Sequence, residues 1–212
     1  MIFFGGLQEL VYPPRCLGCG VLYEVLCTTC SRELQFQDYR GVVGGVPVFS
    51  SIQYGSKAGH ILLAAKEDGL RKADDILVKA LTYSLRQAMK VYGIRPALVP
   101  IPHASKVVRK RGRNFVGDIT DRVASSEALP CRKIICHNRK VNDQSALSAT
   151  LRAGNVSGAI SVIKRCGRPG EVFLVDDLIT TGATLAEAVR SLKKADFHVV
   201  AAVTAFVALP LR

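Results

Sequence analysis

Across 212 residues, 29 Lys and Arg outweigh 17 Asp and Glu for a formal net charge of +12, and 49% of positions are hydrophobic. This size and apolar content suit one ordinary domain with a small appendage and exclude a largely disordered chain. The longest apolar run, from Val199 to Leu209 with Thr204 inside it, is too short to cross a bilayer, so no membrane span is expected.

The first residues, Met1-Ile-Phe-Phe, lack the basic start of a secretory signal, and a cytoplasmic location is the expectation. Residues 7–12 read as a short amphipathic helix stopped by Pro13 and Pro14. Cys16, Cys19, Cys27 and Cys30 then form two C-x₂-C pairs separated by seven residues. Each pair makes a tight knuckle whose thiolates face one metal, and two knuckles complete a tetrahedron. Disulfides are the competing reading, and a reducing cytoplasm weighs against them. A thioredoxin-like redox pair lacks its strand–helix context. A module of about thirty residues buries too little surface to fold alone, whereas Zn²⁺ supplies on the order of 10–16 kcal/mol. Four protein ligands leave no open position, so the expected Zn²⁺ is structural. Cys131, Cys136 and Cys166 lack ligand spacing and read as core thiols.

The expected division is a zinc-ribbon module over 1–40 and a second domain over 41–212, with Gly41, Gly44 and Gly45 as linker. Beyond it a strand is expected at 46–54 and a helix start at 59–66. Asp74 is the expected N-cap of a helix running to about 92, with Ile76, Leu77, Ala80, Leu81, Leu85 and Met89 on one face. A short strand at 97–99 ends at Pro100-Ile101-Pro102-His103. A helix at 115–127 and a strand at 133–136 follow, then an irregular polar stretch over 138–155. The chain closes with strands at 159–163 and 171–175, a helix to about 195 and a last strand from 198. This alternation predicts an α/β fold with a mostly parallel sheet flanked by helices. Ligands of such sheets bind at the carboxyl ends of strands, where the segment after Val99 and the segment after Val175 are expected to meet.

The second of these segments, Asp176-Asp177-Leu-Ile-Thr180-Thr181-Gly182-Ala183-Thr184, follows four apolar residues and precedes a helix. Amides and the dipole at a helix start attract phosphate. Paired carboxylates accept hydrogen bonds from vicinal hydroxyls or help place a hydrated Mg²⁺. A Walker B strand also ends in acids, but no G-x-x-x-x-G-K-[ST] occurs, which argues against a P-loop NTPase. An N-capped structural helix accounts for one Thr and the Gly, not for the acid pair and three threonines.

Between Lys106 and Lys140 ten basic residues face three acids, Asp118, Asp121 and Glu127. The dense group Lys106, Arg109, Lys110, Arg111 and Arg113 suits a polyanion, either diphosphate or nucleic acid, and a solvated basic face is the alternative.

The segment from 172 to 184 resembles the phosphoribosyl-pyrophosphate (PRPP) signature of type I phosphoribosyltransferases. By that resemblance Asp176 and Asp177 bind the ribose hydroxyls, and Thr180, Thr181, Gly182, Ala183 and Thr184 wrap the 5′-phosphate. The whole chain resembles the ComF family, competence-associated proteins that join a zinc ribbon to a phosphoribosyltransferase domain. The further segments that carry this are Lys66-Glu67-Asp68-Gly69, Val99-Pro-Ile-Pro102, Arg109-Lys-Arg-Gly-Arg-Asn114, and Gln144-Ser145-Ala-Leu147-Ser148 with Arg152, Asn155 and Val156. Three positions depart from the family pattern: Glu67 replaces an aromatic, Arg113 a Phe, and Phe115 a Gln. The resemblance implies PRPP as ligand with Mg²⁺, a role in DNA uptake, and competence or DNA-processing proteins as partners.

Transfer from PRPP builds positive charge on the ribose ring, as in glycoside cleavage. Lys66, Arg109 and Arg111 are the candidates for stabilising departing diphosphate with Mg²⁺, and the loop from Arg139 to Arg152 is a candidate lid. No segment names an acceptor. The alternative is a PRPP-sensing or single-stranded nucleic-acid-binding adaptor without turnover. Few aromatics accompany the basic run, Phe115 chiefly, which counts against a stacking platform.

Overall fold

The computed structural model describes residues 13–137, 158–163 and 167–209. The expected helix at 7–12, the candidate lid at 139–152, the resemblance segment at 144–156 and Cys166 lie outside these residues. In chain order the elements are α1 (Thr28–Glu33), β1 (Tyr39–Val43), β2 (Val46–Gln53), α2 (Ser56–Lys66), α3 (Arg71–Tyr92), β3 (Ala97–Pro100), α4 (Ser105–Arg111), α5 (Phe115–Ser126), β4 (Ile135–His137), β5 (Ile160–Val162), β6 (Glu171–Ile179), α6 (Ala183–Lys193) and β7 (His198–Val207).

The central sheet has the order β1-β2-β7-β6-β3, all parallel except the edge strand β1, and β4 pairs with β5 in a small antiparallel ribbon. Successive residues of its inner strands feed opposite cores, which is why β6 and β7 read as continuous apolar runs. Phe173, Val175, Ala201 and Val203 pack towards Leu77, Leu81 and Ile119 of α3 and α5. Val172, Leu174, Val199 and Ala202 pack on the other face with Leu185, Val189 and Leu192 of α6 and with Ile135 and Ile160 of the ribbon. The expected α/β class, with a mostly parallel sheet and helices on both faces, is therefore present.

Three local readings change. Gly41 lies within β1, and Gly44 and Gly45 do not act as a linker. Both have positive φ (59° and 74°) and form the two-residue turn of the β1–β2 hairpin. Asp74 is not an N-cap. The helix begins at Arg71, and Asp74 is buried in its first turn, leaving Leu70 at the cap position without a side-chain cap. The basic run is helical over α4, and Gly112 terminates it in a left-handed conformation (φ 70°). Finally, β6 does not end at Val175. It continues to Ile179 because β7 offers partners that far, pairing Asp176 with Thr204 and Ile179 with Val207.

The cysteine segment sits against the same body. An Arg15–Leu22 bridge encloses the first cysteine pair, and the second pair spans the start of α1, with Cys27 at its N-cap and Cys30 within it. Cys16, Cys30 and Leu34 belong to the apolar cluster that holds Ala58, Ile61 and Leu62 of α2. The Gly18 carbonyl lies 2.9 Å from His60 Nδ1, and Lys57 pairs with Glu33.

Candidate functional site

The acid pair lies inside β6 and not beyond its end. Parallel pairing of β3 with β6 sets Pro100 opposite Val175, and Ile101 N donates to the Val175 carbonyl at 2.8 Å. The exit of β3 is thereby fixed beside Asp176 and Asp177, so the two segments meet as expected. Asp177 is buried, and its Oδ2 lies 2.7 Å from Lys66 Nζ at the end of α2. That approach is an ion pair without hydrogen-bond geometry, so this buried oxygen has no hydrogen-bond donor among the described residues. Asp176 is half-buried, and its Oδ1 accepts the Asp177 amide at 2.9 Å. Burial, reinforced by the neighbouring Asp177 carboxylate, pushes the Asp176 carboxyl up to about 8, against an opposing pull from Lys66.

After Ile179 the chain turns through Thr180 and Thr181, both exposed, into Gly182 at the N-cap of α6. Gly182 has φ 73°, and a Cβ there would lie 2.6 Å from Val43 Cγ1. Only glycine meets both demands. The helix start carries no side-chain cap; the Ala183 amide reaches Thr181 Oγ1 only at 3.4 Å. Uncapped amides, the dipole of an eleven-residue helix and the hydroxyls of Thr180, Thr181 and Thr184 thus face one place. Asp176, the turn and Thr204 line a shared open depression of about 320 Å³. Thr204 anchors its floor. Its Oγ1 is 2.6 Å from Ser50 Oγ and 3.0 Å from the Phe206 carbonyl, while Ser84 Oγ donates to its carbonyl at 2.9 Å.

The basic residues divide into two sets. Arg111 donates from Nε to Glu67 Oε1 at 2.8 Å, and Arg113 pairs with Asp74 at 3.0 Å and Asp118 at 3.3 Å while its guanidinium covers the Phe115 ring. Of the three positions that depart from the resembled family, Arg113 and Phe115 are therefore in contact, and Glu67 pairs with Arg111. Lys66 Nζ also lies over Phe115, 5.8 Å from its centroid. Lys106, Arg109 and Lys110 are exposed instead, with no ion pair among the described residues. Of the three cations expected at a diphosphate, Lys66 and Arg111 gather near the acids and Arg109 stands on the open face of α4.

The four N-terminal cysteines converge as their spacing requires. The Sγ atoms of Cys16, Cys19, Cys27 and Cys30 all lie within 4.8 Å of one another, close enough to hold a metal ion. Cys16 Sγ accepts the Cys27 amide at 3.3 Å. Burial raises the Cys16 thiol, but amides of Cys27, Cys19 and Gly18 outweigh it and bring the thiol down to about 6. Cys30 is driven upward, first by burial and then by the neighbouring sulfurs. Gly18 leaves the room this needs, since a Cβ there would stand 2.7 Å from Cys30 Sγ.

Sequence reasoning gave no role to Thr204 or Val43, and made Asp74 an N-cap where it is a buried partner of Arg113. Their places depend on strand order and helix packing, for which the local sequence carries no signal. Cys131 and Cys136 are half-buried, as thiols in a core margin, and burial together with Asp121 pushes Cys131 up to about 12.

No family model matches the sequence, and no curated protein is detectably similar to it. Among solved structures the chain is similar to adenine phosphoribosyltransferase from Saccharomyces cerevisiae at 12% identity, covering 65% of this chain and 67% of that one with a TM-score of 0.38. It is similar to orotate phosphoribosyltransferase from Aeropyrum pernix at 15% identity, covering 83% and 77% with a TM-score of 0.43. A further adenine phosphoribosyltransferase aligns at 13% identity over 82% and 86%, also with a TM-score of 0.43. No helix among the described residues is long and apolar enough to cross a membrane.

Proposed function

We propose that this chain is a ComF-like cytoplasmic protein that binds PRPP with Mg²⁺ and transfers its phosphoribosyl group, with structural Zn²⁺ at Cys16, Cys19, Cys27 and Cys30. One observation carries the reading. A buried carboxylate oxygen that meets Lys66 but has no hydrogen-bond donor among the described residues and an uncapped helix start with three threonines follow each other along one strand exit. The first suits a hydroxyl or a hydrated cation, the second a phosphate.

In this reading Thr180, Thr181 and Thr184 with the amides of Gly182 and Ala183 hold the 5′-phosphate. Asp176 and Asp177 hold the ribose hydroxyls. The C1–oxygen bond to diphosphate breaks and its electron pair leaves with the diphosphate, while an acceptor lone pair forms the new bond at C1. Lys66 and Arg111 exchange their internal acids for the departing anion. Asp177, whose Oδ2 has no hydrogen-bond donor among the described residues, and its neighbour Asp176 would hold Mg²⁺, which would supply charge neutralisation for the departing diphosphate. The sulfur cluster has the thiolate-only chemistry of a closed zinc site, so its contribution is folding.

The test is calorimetric titration of PRPP with Mg²⁺ into the chain and into the Asp176→Asn, Asp177→Asn double variant. Loss of two carboxylate contacts is expected to weaken binding by about a hundredfold or more. Unchanged affinity in the double variant refutes the assignment. Diphosphate release over a panel of acceptors then separates transfer from sensing.

A second reading has its own observation, the exposed Lys106, Arg109 and Lys110 of α4, which have no ion pair among the described residues. It suits a nucleic-acid strand held electrostatically, in keeping with a part in DNA uptake, and such binding weakens steeply with salt.

A further inference from the structure

An imidazole at the exit of β3 has no task in the reading above. His103 stands three residues beyond Pro100, on the segment tied to Val175 by the Ile101 amide. Its ring is half-buried. Nδ1 is closed off from solvent and has no hydrogen-bond partner among the described residues, whereas Nε2 is not closed off in this way. The charged and titratable groups facing the ring come from four elements: Asp177 of β6, Lys66 of α2, Arg111 of α4 and His137 of β4.

These surroundings fix the state of the ring. Burial, with the nearby cations and His137, outweighs the pull of Asp177 and disfavours a second proton. A neutral ring carrying its hydrogen on Nδ1 would bury an orphan donor, which folded chains rarely do. The hydrogen therefore belongs on Nε2, at the open edge. The neighbouring cations are already committed, Lys66 to Asp177 and Arg111 to Glu67. An anion arriving here must compete with those acids for the two cations. The imidazole itself makes no hydrogen bond or ion pair among the described residues, although Asp177 faces it.

The geometry points to His103 as the neutral Nε2–H donor that meets a diphosphate oxygen of the ligand, beside Lys66 and Arg111. The inference rests on the PRPP reading and adds to it the residue that distinguishes a diphosphate-bearing ligand from plain ribose 5-phosphate. The phosphate turn after Ile179 lies farther along β6 and takes the other end of the ligand, so the two ends are separable in a binding assay.

The experiment titrates PRPP, pyrophosphate and ribose 5-phosphate, each with Mg²⁺, into the full chain and into His103→Phe and His103→Gln. Phe fills the ring volume without a donor; Gln carries an amide N–H to about the Nε2 position. The Phe variant is expected to bind PRPP and pyrophosphate about 10- to 100-fold more weakly, with ribose 5-phosphate unaffected. The Gln variant is expected to recover most of that loss. Wild-type affinity of the Phe variant for PRPP and pyrophosphate overturns the assignment. So does parallel loss of all three probes in both variants, which marks a packing role; thermal unfolding of each variant reports that directly. Failure of the cradle reading has a different signature: the wild-type chain then takes neither ribose 5-phosphate nor PRPP, and the role of His103 falls with it.

Discussion

Gly182 offers a test of how the turn after Ile179 is held, because two independent strains meet at one atom. Replacing it with Ala forces a Cβ into a left-handed residue (φ 73°), which costs about 1 kcal/mol. The same Cβ would lie 2.6 Å and 2.8 Å from the two methyls of Val43 on β1, an overlap costing a further ~1–3 kcal/mol. Val43→Ala removes both methyls and leaves its Cβ at 3.3 Å. By itself that change loses about 1.5 kcal/mol of burial. In the Val43→Ala background, Gly182→Ala is then expected to cost only the backbone part, about 1 kcal/mol, giving a coupling of about 1–3 kcal/mol in the double-mutant cycle. Urea unfolding of the four proteins measures this, provided their denaturant slopes agree. An equal cost of Gly182→Ala in both backgrounds refutes the close approach of the turn to β1. Weaker ribose 5-phosphate binding in the single variant, restored in the double, ties the same contact to the site.

Two further outcomes follow from the charged and thiol groups. Stripping metal from the four cysteines removes on the order of 10 kcal/mol from their segment. Trypsin is expected to cut after Arg15 or Arg32 in the stripped chain only, and equal resistance with and without chelator sinks the metal assignment. Asp176 gives a pH dependence of known sign. Its carboxyl lies near 8 in the fold and near 4 when unfolded, so the folded chain holds a proton that the unfolded chain releases. Its stabilisation is complete below about pH 4 and is lost as pH rises to about 8. Asp176→Asn abolishes that slope and is expected to gain about 2 kcal/mol over the wild type at pH 8, after allowance for screening at the open face. Parallel stability curves from pH 4 to 8 contradict the burial of this acid.

The legible parts of the sequence were those whose chemistry is local. The spacing of Cys16, Cys19, Cys27 and Cys30 constrains four sulfurs within a short stretch of chain, and their atoms converge. The run from Val172 to Thr184 encodes a strand, a turn and a helix start in consecutive residues, and all three form in that order. What local pattern could not supply was pairing. Residues 39–43 look like the edge of a linker because Gly41 and the Gly44–Gly45 pair interrupt them. Their strand exists through backbone bonds to β2 and through the contact of Val43 with Gly182. Likewise the length of β6 is set by Leu178 opposite Phe206 and Ile179 opposite Val207, a fact about β7. Glu67 and Arg113 were visible as departures from a family pattern. That each finds an opposite charge, Arg111 for one and Asp74 with Asp118 for the other, depends on the packing of α2, α3, α4 and α5.

Helix α2 connects the two chemistries of the chain. At one end, Lys57 pairs with Glu33 and His60 meets the Gly18 carbonyl inside the first cysteine knuckle. Along its buried side Ala58, Ile61 and Leu62 share a cluster with Cys16 and Cys30. At the other end, its last residue, Lys66, sets its ammonium against Asp177. Eleven residues of helix span only about 16 Å, and a helix this short transmits displacement as a rod. The lysine that neutralises the acid pair therefore takes its position in part from the cysteine segment. In that geometry the four sulfurs brace the helix that carries Lys66, and a metal bound there would stabilise more than its own loop.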